Sequence, residues 1–384
     1  MMAQKRVLFF VYDGGGIGHL TRLSKIAGHI QGPCASLVVT GHRSASWIVP
    51  EHCEFIHLPS LDSLFSSRAS YWGREPFLST TKSDALGLRA GILSAIVEHF
   101  RPDAIFLDYL PCGKFDEMRK VLEEHPARKY FVLRGVLDRP EVVRAEIFDP
   151  ASLPLLDRVY ERIFVTCDER VIDLSEEYGL TEAVSRKLAY VGYVVNPVSG
   201  EALSVARAAR GLDPRRPWIV CSTGSGKYKE RLLRGCEEVA LSHPAAFWDI
   251  VAGPKARPGE STPGAGSTGH IAYHREVQEL PLWNAACDLT ICHGGYNTLM
   301  EAISGRTPVV VWPGPDFEQS AHAERLSRHY PIRLIHNTEG LRAQVKLVAR
   351  KESSPSEPLP LNTGGLDNIR ALLFQDLEIT LGLC

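Results

Sequence analysis

Two stretches of the chain repeat one order of patterns: a short apolar run, a glycine-rich turn, and then apolar residues at helical spacing. The first has its apolar run at residues 7–12 and its turn at 13–19, and the second has them at 218–221 and 222–226. Short apolar runs bounded by glycine are typical of buried parallel strands. The repeated strand, turn and helix therefore predict two successive α/β halves built from βαβ units.

The strand–helix alternation breaks near Asn196-Pro197, where turn formers and charged residues follow. We therefore predict two Rossmann-like domains at 1–195 and 217–384, joined by a linker at 196–216. The pattern leaves open whether a last helix at about 366–377 packs back on the first domain. We expect the two domains to face each other across a cleft. Because parallel sheets bind ligands at the carboxyl ends of their strands, this cleft is the expected binding site.

Composition excludes several classes of protein. Of the 384 residues, 44% are hydrophobic and 23% are charged, as in an ordinary globular protein, and the net charge of −2 gives no attraction to nucleic acid. No apolar stretch approaches the ~20 residues of a membrane span, although contact with a membrane surface stays open. The nine cysteines form no C-x-x-C pair, which favours free thiols and a cytoplasmic location.

The glycine-rich turns match neither common phosphate motif. A dinucleotide fingerprint that begins at Gly14 would place His19 at its last glycine, and a P-loop would need glycine at Cys221. Both failures weigh against a nicotinamide-dependent oxidoreductase. By itself, a glycine-rich turn indicates only that the backbone passes close to another group, such as a ligand. A tight turn with no role in binding is the alternative interpretation.

The segment 288–325 carries the strongest signal for a binding site. An apolar strand ends before the loop His293-Gly294-Gly295, and we expect Asn297-Thr298 to cap a helix that begins near Leu299. The free N–H groups and the dipole of a helix N-terminus suit a diphosphate without any metal. The two glycines let that backbone come close.

The polar side chains of this segment suit a nucleotide sugar. His293 can donate to a phosphate oxygen, and Glu301 can accept from ribose hydroxyls. Glu318 and Gln319 follow the next strand and offer an acceptor and an amide to sugar hydroxyls.

At these residues the chain resembles the inverting GT-B glycosyltransferases, which fold as two Rossmann-like domains. HGGYNT-x-x-E-A and the later E-Q are similar to their donor-binding motif, and Gln278 falls where that motif often carries Gln. Arg275 departs from the tryptophan that stacks on the base in the plant enzymes; an arginine can also stack, so the base stays open. The resemblance implies that the diphosphate is held by His293, Gly294, Gly295, Asn297 and Thr298, the ribose by Glu301, and the donor sugar by Glu318 and Gln319. We also assign to the donor site Ser222, Thr223, Gly224, Ser225, Arg275 and Gln278.

The first half is similar to a bacterial group of predicted glycosyltransferases related to the peptidoglycan lipid-intermediate N-acetylglucosaminyltransferase. This similarity is clearest in the segments DGGGIGHLTRLSKIA, FRPDAIFLDYLP and LRGVLDRPEVVRAE. Over the whole chain it covers roughly residues 5–345. The peptidoglycan enzyme itself has a different N-terminal loop. The resemblance implies a donor-binding second domain and an acceptor-binding first domain. It also implies a nucleotide-sugar donor (UDP-sugar favoured) and no cofactor, and it leaves the acceptor unnamed. We favour a small-molecule or natural-product acceptor, and a lipid carrier stays open.

Spacing favours inversion at the sugar. Retaining members of this fold usually place two glutamates eight positions apart on this segment, whereas here the pair is His293 and Glu301. No D-x-D triplet occurs, so we expect the leaving diphosphate to be stabilised without a metal.

The acceptor needs a base to remove its proton. His19 ends the first glycine-rich turn and Asp108 follows a predicted strand, and the resemblance implies a His–Asp dyad at these positions. Asp13 is the second choice of base, and His19 as a helix cap or phosphate ligand is the alternative. We assign the loop that surrounds the acceptor to Gly14, Gly15, Gly16 and Gly18.

Two other functions fit a chain of this plan. A non-hydrolysing sugar-nucleotide epimerase would carry an acidic, Ser/Gly-rich segment in place of HGGYNT. A non-catalytic nucleotide-sugar-binding protein would have lost His19 and Asp108 or the donor motif, and both are present.

Overall fold

The computed structural model describes residues 4–13, 16–42, 44–60, 81–224, 229–253, 269–275, 277–350 and 361–379. Contacts divide the chain into two compact units. The first unit comprises Met1–Val194 together with Gly364–Cys384, and the second comprises Val195–Thr363.

The first unit is built on a seven-stranded sheet whose paired strands run parallel, in the order β3-β2-β1-β4-β5-β6-β7. Its strands are β1 (Lys5–Phe10), β2 (Cys34–Thr40), β3 (Glu54–His57), β4 (Ala104–Asp108), β5 (Arg128–Arg134), β6 (Arg162–Thr166) and β7 (Leu188–Tyr190). The central strands are apolar along their length because both faces of the sheet are covered. The predicted parallel α/β layout is therefore confirmed in this half.

Helices connect these strands. They are α1 (Gly18–His29), α2 (Ala45–Ile48), α3 (Lys82–Phe100), α4 (Arg119–Glu124), α5 (Pro140–Glu146), α6 (Leu153–Arg158), α7 (Leu174–Tyr178) and α8 (Glu182–Ser185). Helix α1 follows β1 directly and buries Leu20, Leu23, Ile26 and Ala27, one apolar stripe at helical spacing. The stripe fixes the orientation of α1, and with it the side chains of its first turn.

The second unit contains a six-stranded sheet, also of parallel pairs, in the order β10-β9-β8-β11-β12-β13. Its strands are β8 (Trp218–Ser222), β9 (Phe247–Val251), β10 (Ile271–His274), β11 (Leu289–Cys292), β12 (Val309–Val311) and β13 (Ile332–Leu334). Its helices are α9 (Gly200–Ala209), α10 (Glu230–Leu241), α11 (Leu280–Ala286), α12 (Tyr296–Ser304), α13 (Phe317–Leu326) and α14 (Thr338–Ala349). The second predicted α/β half is thus confirmed as well.

The residues 196–216, predicted as a linker, hold α9 and pack on the second sheet. Arg210 donates from Nη2 and Nε to the two carboxylate oxygens of Asp249, at 2.7 and 3.1 Å. Arg207 makes an ion pair of 2.9 Å with Asp288. The sequence reads as a linker because these partners lie dozens of residues away along the chain.

The last helix, α15 (Gly365–Asp376), belongs to the first unit rather than to the domain predicted at 217–384. Its residues Leu366, Ile369 and Leu373 are buried in the same core as β1 and α1. Asp376 fixes its end, since both carboxylate oxygens accept from Arg162 at 2.7 and 2.8 Å. The first unit is therefore assembled from two separate pieces of the chain.

No helix in the described ranges is both long and apolar enough to cross a bilayer. The described cysteines are free and buried.

Candidate functional site

The candidate site of the first unit lies at the carboxyl edge of its sheet, after β1 and β4. In the strand order β1 stands between β2 and β4, so successive connections leave this point in opposite directions. Phe10 of β1 is level with Leu107 of β4, which brings the residues that follow both strands to one edge. Open parallel sheets bind their ligands at such a switch point.

His19 and Asp108 are in direct contact at this edge. Nδ1 of His19 lies 2.5 Å from Oδ2 of Asp108. His19 is in the first turn of α1, and Asp108 is the last residue of β4. The Asp108 side chain has no exposed surface, whereas that of His19 is 12% exposed. The aspartate thus lies behind an imidazole that a ligand can still reach.

The hydrogen bond fixes the tautomer of His19. Because an ionised carboxylate only accepts, Nδ1 carries the proton, and the lone pair of the neutral ring is on Nε2. Burial lowers the pKa of His19 below its usual value, although the charge of Asp108 opposes this effect. No described residue hydrogen-bonds to Nε2. The ring is therefore neutral near pH 7 and can take a proton from a bound hydroxyl.

Asp108 has a second partner, Arg22, which sequence reasoning missed. Nη2 of Arg22 donates to Oδ1 of Asp108, the oxygen that His19 does not use. Burial alone raises the pKa of Asp108, but the charge of Arg22 and the contact with His19 outweigh it and lower that pKa to about 2. Asp108 is therefore ionised at neutral pH.

Two tyrosines flank the imidazole of His19. The ring centroids of Tyr12 and Tyr109 each lie 5.1 Å from that of His19, and 5.3 Å from each other. Tyr109 follows Asp108 directly and has a φ of 68°. The left-handed region costs a residue with a Cβ about 1–2 kcal/mol, and such strain often marks functional positions. Tyr109 lies in the quoted motif FLDYLP, but neither its conformation nor the ring cluster is visible in the sequence.

Asp13, the second choice of base, is held by structural contacts. Its Oδ1 accepts from the backbone N of Gly41 at 2.7 Å, and its Oδ2 pairs with Arg89 at 2.9 Å. Arg89 in turn contacts Glu117 at 3.2 Å. This buried network joins β1, β2 and α3, so the geometry favours a structural role for Asp13 over that of a base.

The acceptor loop predicted at Gly14, Gly15, Gly16 and Gly18 is described in part. Gly16 precedes α1 and Gly18 begins it, whereas Gly14 and Gly15 lie outside the described residues.

The candidate site of the second unit lies at the carboxyl edge of the second sheet, where β8 and β11 meet at the corresponding switch point. Ser222, at the end of β8, is level with Cys292, at the end of β11. The buried hydroxyl of Ser222 has no hydrogen-bond partner among the described residues, as suits a ligand contact. Thr223 donates instead to the carbonyl of Ala252 at 2.9 Å. Gly224 follows with a φ of 65°, and Ser225 lies outside the described residues.

His293 follows β11 and is oriented by the next strand. Its Nδ1 lies 2.8 Å from the carbonyl oxygen of Trp312. Because a carbonyl accepts, Nδ1 carries the proton, and Nε2 of the neutral ring is an acceptor. His293 therefore donates from Nε2 to a phosphate oxygen only when the ring is protonated, a condition that the sequence did not reveal.

The glycines beside His293 have different reasons to be glycine. Gly294 has a φ of 95°, and a Cβ there would lie 2.7 Å from the carbonyl oxygen of Gln319. Gly295 has a φ of −60° and open space where a Cβ would be, so its smallness serves access to the helix that follows. A side chain at Gly294 would therefore clash with its neighbours, whereas the space beside Gly295 is open.

The predicted cap of this helix was wrong. Helix α12 begins at Tyr296 with Gly295 as its N-cap, and glycine has no side chain that could cap the helix. Asn297 and Thr298 lie inside its first turn instead. The helix thus begins three residues earlier than the sequence pattern indicated. The N-terminus of α12, with the positive end of its dipole, lies at this edge of the sheet and favours an anion there.

The three acidic and amide side chains assigned to the donor lie on α12 and α13. Glu301 is buried in α12, and its Oε2 accepts from Nδ2 of Asn284 at 3.0 Å, a partner that sequence reasoning missed. Glu318 and Gln319 are in the first turn of α13, where the side chain of Asp316 accepts from the backbone N of Gln319 at 3.2 Å. Gly294 lies against Gln319, so these two helix starts are adjacent.

Arg275 and Gln278 lie farther along the same edge. Arg275 follows β10 and is exposed, and Gln278 is exposed just before α11. In the strand order β10 is separated from β11 by β9 and β8.

No protein-family model matches the chain. Over 138 residues it is 33% identical to a Nocardioides enzyme named UDP-N-acetylglucosamine–N-acetylmuramyl-(pentapeptide) pyrophosphoryl-undecaprenol N-acetylglucosamine transferase, covering 34% of this chain and 37% of that protein. Over 233 residues it is 21% identical to an uncharacterized glycosyltransferase of Methanosarcina acetivorans, covering 58% of this chain and 56% of that one. The matches thus span between about a third and just over half of these relatives.

Solved structures match over nearly the whole chain. The calicheamicin glycosyltransferase aligns with a TM-score of 0.64 at 16% identity, covering 100% of this chain and 99% of that one. The spinosyn forosaminyltransferase gives 0.60 at 16%, covering 98% and 95%. A UDP-GlcNAc 2-epimerase from Neisseria meningitidis, bound to UDP-GlcNAc, gives 0.63 at 12%, covering 98% and 100%. The chain therefore has the GT-B fold, in the twin parallel-sheet form of these glycosyltransferases and of the 2-epimerase.

Proposed function

We propose that the chain is an inverting glycosyltransferase that moves a sugar from a nucleotide diphosphate, with UDP-sugars favoured, to a small-molecule acceptor. The observation that carries the proposal is the contact between His19 and the buried, ionised Asp108 at the switch point of the first sheet. Such a pair supplies a general base, which an inverting transfer needs and a mere binding protein does not.

The chemistry is a direct displacement. Nε2 of His19 takes the proton of an acceptor hydroxyl while the acceptor oxygen forms a bond to the anomeric carbon. The bond from that carbon to the diphosphate oxygen breaks on the opposite face, and the electron pair leaves with the nucleotide diphosphate. The imidazolium of His19, stabilised by Asp108, then releases its proton to solvent.

The leaving diphosphate is bound by the second unit. The dipole at the N-terminus of α12, the turn at Gly294 and Gly295, and protonated His293 favour phosphate oxygens at this edge. Donors of this kind stabilise the developing charge without a metal, so the proposal includes metal-independent transfer. Glu301, Glu318 and Gln319 are the proposed contacts to ribose and sugar hydroxyls.

The acceptor is proposed to bind beside Tyr12 and Tyr109 in the first unit, where a planar ring can pack on theirs. A natural-product acceptor is supported by the names of the calicheamicin and spinosyn transferases, which share the fold. The bacterial group related to the peptidoglycan transferase is supported by the 33% identity over 138 residues. Free, buried cysteines suit a cytoplasmic location.

A sugar-nucleotide 2-epimerase is the second candidate, because two structures of 2-epimerases share the fold, with TM-scores of 0.61 and 0.63. Epimerisation needs no acceptor, whereas transfer does. The two functions therefore differ in what happens to a donor incubated alone.

The test begins with a thermal-shift panel of UDP-, dTDP- and GDP-sugars, since a ligand of the native state raises the melting temperature. The stabilising donor is then incubated with and without a panel of phenolic and hydroxyl acceptors, and the products are followed by mass spectrometry and NMR. We expect an acceptor-dependent glycoside with inverted anomeric configuration, lost in His19→Ala. Conversion of UDP-GlcNAc alone into its C2 epimer would establish the epimerase instead, and binding without turnover would indicate a sensor.

A further inference from the structure

Arg22 is a buried cation beside the proposed base. It lies one helical turn after His19 on α1, and its side chain is 1% exposed. Its Nη2 contacts Oδ1 of Asp108 and lies 3.3 Å from Nδ1 of His19. Nδ1 of His19 carries the proton that it donates to Asp108. Nη2 of Arg22 is also a donor, so these two nitrogens do not form a hydrogen bond with each other. Arg22 therefore interacts with His19 through charge and through Asp108.

Charge balance gives this arrangement a direction. A buried carboxylate with an imidazole alone would carry one negative charge, and taking up a proton would make it a neutral ion pair, which low dielectric favours. With Arg22 present, the three groups are neutral when His19 is neutral. A proton on His19 would leave an unbalanced positive charge in the same buried space.

The other groups around His19 do not reverse this balance. Arg134 at the end of β5 is a further cation, and together with Arg22 it acts against the charge of Asp108 on the pKa of His19. Tyr12 and Tyr109 present rings to the imidazole, and Nζ of Lys114 lies 6.0 Å from the centroid of the Tyr12 ring. Asp108 is the one anion that the described contacts place on His19.

We propose that Arg22 is a positioning residue of the base: it holds one oxygen of Asp108 and offsets its charge, so that Asp108 orients His19 without holding it in the protonated form. The inference rests on the proposed function only for its consequence, which is a base that stays active at mildly acid pH. The state of His19 itself can be measured whether or not sugar transfer occurs.

The sign of the effect follows from the charges. A general base works in its neutral form, so kcat/KM falls about tenfold per pH unit once the pH drops below the pKa of His19. Removal of the Arg22 charge leaves Asp108 to favour the imidazolium. The pKa of His19 then rises, and the acid limb of kcat/KM moves to higher pH.

The experiment follows the ring nitrogens of His19 by ¹⁵N NMR in the full chain, with the signal assigned through its loss in His19→Gln. Arg22→Gln is expected to raise the titration midpoint of His19 by about 1–3 pH units, the effect of a charge within hydrogen-bonding distance. Arg22→Lys keeps the charge and should hold the midpoint close to that of the native chain. Arg89→Gln is the matched control, because Arg89 is equally buried but pairs with Asp13 and Glu117.

An unchanged midpoint in Arg22→Gln, or an equal rise in Arg22→Lys or Arg89→Gln, would overturn the proposal. If Arg22→Gln does not fold, the native chain decides: a neutral Nδ1–H tautomer near pH 7 supports the proposal, and an imidazolium contradicts it. A chain that shows the predicted shift but transfers no sugar would refute the proposed function alone. A transferase whose His19 ignores Arg22 would refute only this inference.

Discussion

The two candidate sites are built from different kinds of chemical group. The first-unit site (His19, Arg22, Asp108, Tyr12 and Tyr109) is a set of side chains in which buried charges fix one another. The second-unit site (Ser222, His293, Gly294, Gly295 and the starts of α12 and α13) relies largely on backbone and on small residues. The proposed function uses this difference: it assigns proton transfer to the first unit and anion binding to the second.

The largest expected effect separates chemistry from binding. His19→Ala should lower kcat by about 10²–10⁴-fold with donor affinity nearly unchanged, because the base acts on the acceptor. Asp108→Asn should cost a similar amount or less, and the double variant should cost clearly less than the product of the two, since they act as one unit. The measurement is steady-state kinetics with one weakly acidic hydroxyl acceptor, alongside calorimetry with the donor.

The opposite outcome would assign His19 to donor binding instead of proton transfer. If His19→Ala raises the donor Kd and spares kcat at saturation, His19 is a phosphate ligand and the base must be sought elsewhere.

The second prediction concerns the second unit, where a substitution should change binding of the donor rather than the chemical step. His293→Ala should weaken binding of the nucleoside diphosphate by about 1.5–3 kcal/mol, the scale of a hydrogen bond to a charged group. Because Nδ1 is committed to the carbonyl of Trp312, Nε2 is the ring nitrogen whose contact is lost. Isothermal calorimetry on the native chain and the variant measures this loss. An unchanged affinity in His293→Ala would remove His293 from the site.

A smaller effect tests the backbone character of the second-unit site. Gly294→Ala should lower the free energy of unfolding by about 1–3 kcal/mol, since alanine must adopt a φ of 95° with its Cβ 2.7 Å from the carbonyl oxygen of Gln319. Gly295→Ala is the matched control and should cost less, because its φ is −60° and space is free. Urea unfolding of the two variants decides. Equal losses would show that the geometry of Gly294 is not the cause.

The smallest expected effect is no effect at all. If helix N-terminal N–H groups and His293 stabilise the diphosphate, EDTA should leave the transfer rate unchanged. The assay compares initial rates with and without chelator in metal-free buffer. A rate that disappears and returns with Mg²⁺ or Mn²⁺ would contradict this account of the leaving group.

Sequence alone predicted what depends on order along the chain. Polar residues directly after apolar runs were expected at one sheet edge, and His19 and Asp108 do meet there. Arg22 was missed because an arginine between Thr21 and Leu23 reads as an exposed helix position, and only the fold brings a carboxylate 86 residues away against it. The same reason hid Asn284 beside Glu301 and the partners of the residues taken for a linker. The cap predicted at Asn297 failed because the helix begins at Tyr296, directly after the glycine turn.

The chain order of the first unit has a consequence for synthesis on the ribosome. Leu366, Ile369 and Leu373 complete a core whose strands begin at Lys5, and the whole of Val195–Thr363 is translated between them. The second unit can therefore fold while the first still lacks part of its interior. A nascent chain at that stage exposes the apolar surface of α1 and β1, a state open to chaperones. The core beneath β1 and α1 is then completed later than the sheet that it supports.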